Sequence, residues 1–146
     1  MKLLTKYHGE QIIDEKDIIA FDEGIPGFLD ERVFVLLCLT DDQSFFVLQS
    51  VSTSNLAFIV TSPFLTYPDY EFKVDDEIVQ SLGLSEEHIS VFSIVTAKDP
   101  FEESTINLQA PLIIDTKKGK GKQIILNQTN YQTRTPLFPK VESKGE

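Results

Sequence analysis

Few side chains in this sequence have the type and spacing that chemistry requires. His8 falls in a His-Gly-Glu turn and His88 beside a helix end, and neither has ligand-like neighbours. A metal site needs several converging ligands, so no metal is expected at either. Cys38, the single cysteine, lies within an apolar run and reads as a small hydrophobe. The run Lys117-Lys118-Gly119-Lys120-Gly121-Lys122 lacks the Gly-x-x-x-x-Gly-Lys spacing of a phosphate-binding loop, and is expected as a solvated hairpin loop. Acidic pairs recur at Asp22-Glu23, Asp30-Glu31, Asp41-Asp42, Asp75-Asp76-Glu77, Glu86-Glu87 and Glu102-Glu103. They are spread over many loops, and no Asp-x-Asp-x-Asp-Gly calcium loop is among them. The residues themselves predict no catalytic group, no metal and no cofactor.

Binding is a different matter. Residues 56–61 form a short apolar run rich in β-branched and aromatic side chains, the pattern of a strand buried on both faces. At Pro63 its ladder must end or reach a sheet edge. Phe64, Leu65 and Tyr67 then cross to Pro68, after which Tyr70, Phe72 and Val74 alternate with Asp69, Glu71 and Lys73. That alternation predicts a half-buried strand over 69–74 with a polar, mainly acidic outer face. Pro68 at its start argues for a sheet edge, which is either guarded by its charges or offered to a partner. Asp69, Tyr70, Glu71 and Phe72 are therefore the candidate partner-binding residues.

The remaining chain must hold these residues in place. Strands are expected at 3–7, 11–13, 18–21, 33–39, 45–50, 89–96, 105–108, 112–116 and 123–126. One helix is expected, capped by Asp75, with Ile78 and Leu82 on one face and Gly83 at its end; residues 85–88 would add a turn. Gly24-Ile25-Pro26-Gly27-Phe28 must turn sharply, with Gly27 at φ > 0 and Ile25 and Phe28 pinned to the core. Many short strands with frequent turns predict an all-β, single-domain, mostly antiparallel barrel or roll. The domain is expected to span 1–138, with 139–146 as a flexible C-terminal tail.

Of the 146 residues, 41% are hydrophobic, and no apolar run approaches the length of a membrane helix. Met1-Lys2-Leu3-Leu4 leads directly into polar residues, so no signal peptide and a cytoplasmic location are expected. The net charge is −10. It is uneven: residues 1–116 carry 6 basic and 21 acidic side chains, and residues 117–146 carry 7 basic and 2 acidic. An acidic body of this kind disfavours direct nucleic-acid binding. It suits a basic protein partner, or simply solubility.

Several segments resemble the flagellar assembly factor family FliW. They are Lys6-Tyr7-His8-Gly9-Glu10, Phe21-Asp22-Glu23-Gly24-Ile25-Pro26-Gly27-Phe28, Ala57-Phe58-Ile59-Val60-Thr61-Ser62-Pro63-Phe64 and Pro68-Asp69-Tyr70-Glu71-Phe72. Asn107-Leu108-Gln109-Ala110-Pro111-Leu112-Ile113-Ile114, leading into Lys122-Gln123-Ile124 and Tyr131, completes a collinear match from about Lys2 to Phe138. The resemblance implies a non-enzymatic β-barrel-like protein of the bacterial cytoplasm, monomeric on its own. Its implied partners are flagellin before export and, alternatively, the RNA-binding translational regulator CsrA. The competing reading is a small β-barrel hydrolase or carbohydrate-binding module. A concave pocket with converging carboxylates or histidines would mark that alternative.

Overall fold

The computed structural model describes residues 1–83, 88–127 and 129–139. The second helical turn expected at 85–88 and the tail expected at 139–146 thus fall largely outside the described residues. Among the described residues are eleven strands and one α-helix, besides short 3-10 turns: β1 (Lys2–Thr5), β2 (Gly9–Ile12), β3 (Ile18–Ala20), β4 (Val33–Cys38), β5 (Phe45–Ser50), β6 (Ala57–Thr61), α1 (Asp76–Leu82), β7 (Ile89–Thr96), β8 (Thr105–Ile106), β9 (Leu112–Asp115), β10 (Lys120–Gln123) and β11 (Thr135–Pro136).

Seven strands close a barrel in the order β7-β6-β5-β4-β3-β10-β9, with β9 returning to pair with β7. The pairings are antiparallel except for β10 against β3, where Lys120 lies opposite Ala20. β8 and β11 extend the sheet outward from β7, and β1 and β2 form a separate hairpin. This is the expected all-β barrel, now with its closure defined. Each barrel strand thus has a neighbour on both sides, although β10 and β3 meet at one residue pair only.

Alternation along each strand divides the apolar side chains between two sides of the sheet. Phe34, Leu48, Val60, Phe92, Leu112 and Ile114 fill the interior together with Ile19, Phe21 and Ile25. On the outer side, Ile59, Val95 and Ile113 join Tyr70, Leu108, Leu126 and Leu137 in a second cluster, onto which α1 lays Ile78, Val79 and Leu82. A third, smaller cluster of Leu3, Ile13 and Val35 lies beneath the β1–β2 hairpin. The run at 56–61 therefore does face apolar partners on both sides, although Phe58 and Ile59 remain half-buried.

The sharp turn after β3 follows the sequence expectation. The Phe28 amide donates to the Ile25 carbonyl (2.6 Å), Gly27 has φ +90°, and Ile25 is fully buried. Phe28 departs from the expectation: it is not pinned into the core but stays exposed, meeting Phe58 edge-to-face at 5.4 Å between centroids. Gly24 is the stricter position. At φ +70° a Cβ there would stand 2.5 Å from the Leu29 carbonyl oxygen.

Three expectations need correction. Only the first half of the lysine-glycine run is the expected solvated hairpin loop: 116–119 turn, with Lys117 and Lys118 exposed, whereas Lys120–Gln123 is a barrel strand. Gly121 lies directly against the Phe21 ring, while the flanking lysines reach Asp22 (3.1 Å) and Glu23. The strand expected at 123–126 thus begins earlier and ends at Gln123. Cys38 is exposed. It has the inward parity of Phe34 and Leu36 but is the last residue of β4, where the strand's burial ends. Finally, 69–74 forms no strand.

Candidate functional site

The segment 69–74 alternates as expected: Tyr70 is buried, Phe72 and Val74 half-buried, and Asp69, Glu71 and Lys73 exposed. What it lacks is a ladder. A turn in which the Tyr70 amide donates to the Tyr67 carbonyl (2.9 Å) starts it, and the Glu71 amide then donates to the Tyr131 hydroxyl (3.1 Å). An extended chain crossing an apolar surface has a period of two whether or not a neighbour pairs with it. The pattern therefore located the buried face correctly and misassigned the backbone. No sheet edge exists here for a partner strand to extend.

Tyr70 anchors the segment at 4% exposure, and its hydroxyl donates to the Leu108 carbonyl (2.7 Å). Its ring meets Tyr131 at 4.6 Å, Phe72 at 5.5 Å and Phe64 at 5.8 Å. Four rings in contact, each pair contributing about 0.5–1.5 kcal/mol beyond area burial, make a stiff platform. Tyr67 fixes the approach by donating from its hydroxyl to the Pro136 carbonyl (2.6 Å). Of the four candidate residues, Asp69 and Glu71 thus present their carboxylates outward, Phe72 is partly presented, and Tyr70 supports them from beneath. Openings flank the segment on two sides. One of about 280 Å³ is lined by Asp69, Pro68, Tyr67 and Tyr131, and one of about 470 Å³ by Phe72, Lys73, Asp75 and Ile125. Neither brings two acidic side chains or a histidine together.

Burial, with a smaller contribution from neighbouring Tyr131, pushes the Tyr70 phenol well above its ordinary value. Burial also raises Tyr67. Because the folded state resists ionisation, their contribution to stability is complete below pH 10.0 and fades as pH rises beyond it. Tyr70→Phe deletes the bond to Leu108 and should cost about 1–2 kcal/mol at neutral pH. It should also flatten the alkaline loss of stability measured by denaturant titration. A variant as stable as the parent, with the same alkaline slope, would remove Tyr70 from this role.

His8 Nε2 donates to the Cys38 carbonyl (2.8 Å), and among the described residues no three His, Cys, Asp or Glu side chains gather as metal ligands. Asp75 precedes α1 without a side-chain capping bond, whereas Gly83 ends the helix at φ +65°. Sequence reasoning missed Gln49, fully buried, whose Oε1 accepts from the Lys6 amide (2.9 Å) and whose Nε2 serves the loop after β5. Glu31, noted only as one of the scattered acidic pairs, accepts from Ser50 Oγ (2.5 Å) and Thr53 Oγ1 (2.8 Å). Both residues are polar in loop-like or strand-end context, and nothing local marks them.

Comparison with known proteins agrees with this architecture. The family model described as FliW protein matches residues 2–137. A flagellar assembly factor FliW of Geobacillus kaustophilus is 48% identical over 145 residues, covering 99% of this chain and 100% of its own. One from Bacillus subtilis is 45% identical over 138 residues, covering 94% and 96%. A solved structure described as the crystal structure of the flagellar assembly factor FliW superposes with a TM-score of 0.89 at 46% identity, covering 96% of this chain and 99% of that one. The model match and these relatives span nearly the whole barrel, and the chain belongs to the FliW protein family.

Proposed function

We propose that this chain is a flagellar assembly factor of the bacterial cytoplasm that works by binding and not by catalysis. It holds flagellin before export and alternatively holds the RNA-binding translational regulator CsrA. Holding CsrA keeps it off the flagellin messenger, and accumulating flagellin displaces it. The observation that carries this reading is the pair of outward carboxylates, Asp69 and Glu71, mounted on a buried aromatic platform beside open grooves. An RNA-binding partner must be basic somewhere, and the first 116 residues of this chain have a net charge of −15. The names of its relatives point the same way. No helix among the described residues is long and apolar enough to cross a membrane.

Affinity purification from a flagellated host lysate, followed by reconstitution with purified flagellin and purified CsrA, tests the reading directly. Absence of both partners would overturn it. Exposed charge pairs contribute only about 0.2–1 kcal/mol each, so Asp69 and Glu71 should act mainly on encounter. The Asp69→Lys, Glu71→Lys variant should associate with CsrA about tenfold more slowly at low salt, with a shallower dependence on ionic strength. A parental rate and salt slope would place that partner elsewhere on the surface.

A further inference from the structure

Away from the tyrosine platform, a second surface leaves large apolar side chains in water. Phe45, at the start of β5, meets Phe101 edge-to-face at 5.8 Å, and Phe101 meets Phe138 at 5.6 Å. Phe101 is 40% exposed, Phe138 44% and Leu65 65%. A groove of about 430 Å³ opens along Phe45, Leu65, Thr66, Leu137 and Phe138. Its walls are tied together. Thr61 Oγ1 donates to the Ser44 carbonyl (2.6 Å), the Leu137 amide to the Ser104 carbonyl (2.9 Å), and Thr66 Oγ1 to the Leu137 carbonyl (3.3 Å). These bonds join separate stretches of chain, so the groove is preformed and needs no ordering when occupied. Contiguous exposed aromatics of this kind mark interaction surfaces.

The rim decides what fits. In sequence, Asp41 and Asp42 precede the groove residues Ser44 and Phe45, while Asp99, Glu102 and Glu103 flank Phe101; all five are exposed. The Asp42 carboxylate accepts from the Ser44 amide (3.0 Å) and the Thr40 hydroxyl (2.8 Å), which hold it below the usual carboxylate range. The ion pairs found among the described residues involve none of these five carboxylates, and the cation near them in sequence is Lys98. Phosphate-bearing ligands would be repelled. A second copy, itself at −10, would approach against like net charge. The chain's own residues 140–146 carry two Lys and two Glu with Val141 as their one aliphatic side chain, so they are neither basic nor amphipathic.

We propose that this aromatic groove and its acidic rim dock a basic amphipathic segment of a partner protein. Its apolar side chains sit among Leu65, Phe101 and Phe138, and its Lys or Arg side chains lie over the surrounding carboxylates. The proposal goes beyond the preceding reading, because it does not need Asp69 or Glu71 to touch any partner. The two surfaces adjoin through one 3-10 turn, Pro63–Leu65: Phe64 leans on Tyr70, while Leu65 lines the groove.

The test uses the full chain and a short fluorescent peptide of Leu and Lys at amphipathic helical spacing, with a Leu and Glu peptide as control. The Lys peptide should bind saturably and the Glu peptide should not, and amide shifts should gather at 44–45, 65–66, 101–103 and 137–138. Phe101→Ser and Phe138→Ser should each weaken binding about tenfold. Glu102→Lys with Glu103→Lys, which leaves the rings in place, should weaken it comparably and flatten its salt dependence. Shifts centred on Asp69, equal binding of the two peptides, or a charge-reversed variant with parental affinity would each overturn the proposal. So would tighter peptide binding after removal of residues 140–146, which would assign the groove to the chain's own tail.

Discussion

Gly121→Ala is expected to lower stability by about 3 kcal/mol, and Gly121→Val by more, at the upper end of what overpacking costs. A Cβ at this position would stand 2.6 Å from Phe21 Cζ and 2.9 Å from Cε1. The ring cannot yield easily. Phe21 is fully buried, and it meets Phe34 edge-to-face at 5.4 Å in the barrel interior. Nor can the strand lift away, because β10 pairs with β9 through four residues and with β3 at Lys120. The barrel is closed by this strand, so the strain falls on its seam. Thermal melting should drop by roughly 10 °C for Ala. Phe21→Leu shortens the ring side chain and should restore part of the loss in the Gly121→Ala background, giving a coupling of about 1 kcal/mol or more. Additive losses, or a parental melting temperature for Gly121→Ala, would mean that β10 does not press on Phe21.

The same glycine shows where sequence reading stopped. Lys, Gly, Lys, Gly, Lys has neither the β-branched content nor the apolar alternation of a strand. Here the strand exists because Gly121 makes room for a ring from residue 21 and because Lys120 and Lys122 find Asp22 and Glu23. Those are long-range facts, invisible in any short window. Residues 33–38 and 45–50 were legible for the opposite reason, since their own side chains carry the burial and the propensity. The candidate site was half legible. Period two gave the correct inward and outward faces for Tyr70, Glu71 and Phe72, because an extended chain alternates regardless of pairing. The pairing itself was not encoded locally. It was replaced by a hydroxyl from Tyr131, some sixty residues on. The aromatic groove could not have been read at all, because Leu65, Phe101 and Phe138 come from three distant stretches that only the sheet brings together.

Gln49 is the clearest polar case, and replacing it should separate packing from hydrogen bonding. Its Oε1 accepts from the Lys6 amide (2.9 Å), while Nε2 is shared among the carbonyls of Ser50 (3.0 Å), Ser54 (3.1 Å), Leu56 (3.2 Å) and Thr53 (3.5 Å). One amide therefore ties the β1–β2 turn to the loop between β5 and β6. Gln49→Leu keeps much of the volume and leaves these partners unmet, for an expected loss of about 2–3 kcal/mol. Gln49→Glu should be worse at neutral pH. It loses the donor and places a carboxylate among carbonyl oxygens, and burial favours its neutral form. A folded pKa raised in this way supplies stability at low pH that is lost as pH rises, so the Glu variant should recover on acidification while the Leu variant should not. Hydrogen exchange gives the local readout: the Lys6 amide should lose protection in both variants, beyond the change at amides in the barrel interior. Equal stability of the Leu and Glu variants at neutral pH, or unchanged Lys6 exchange, would mean that the hairpin is held by the Leu3, Ile13 and Val35 cluster alone.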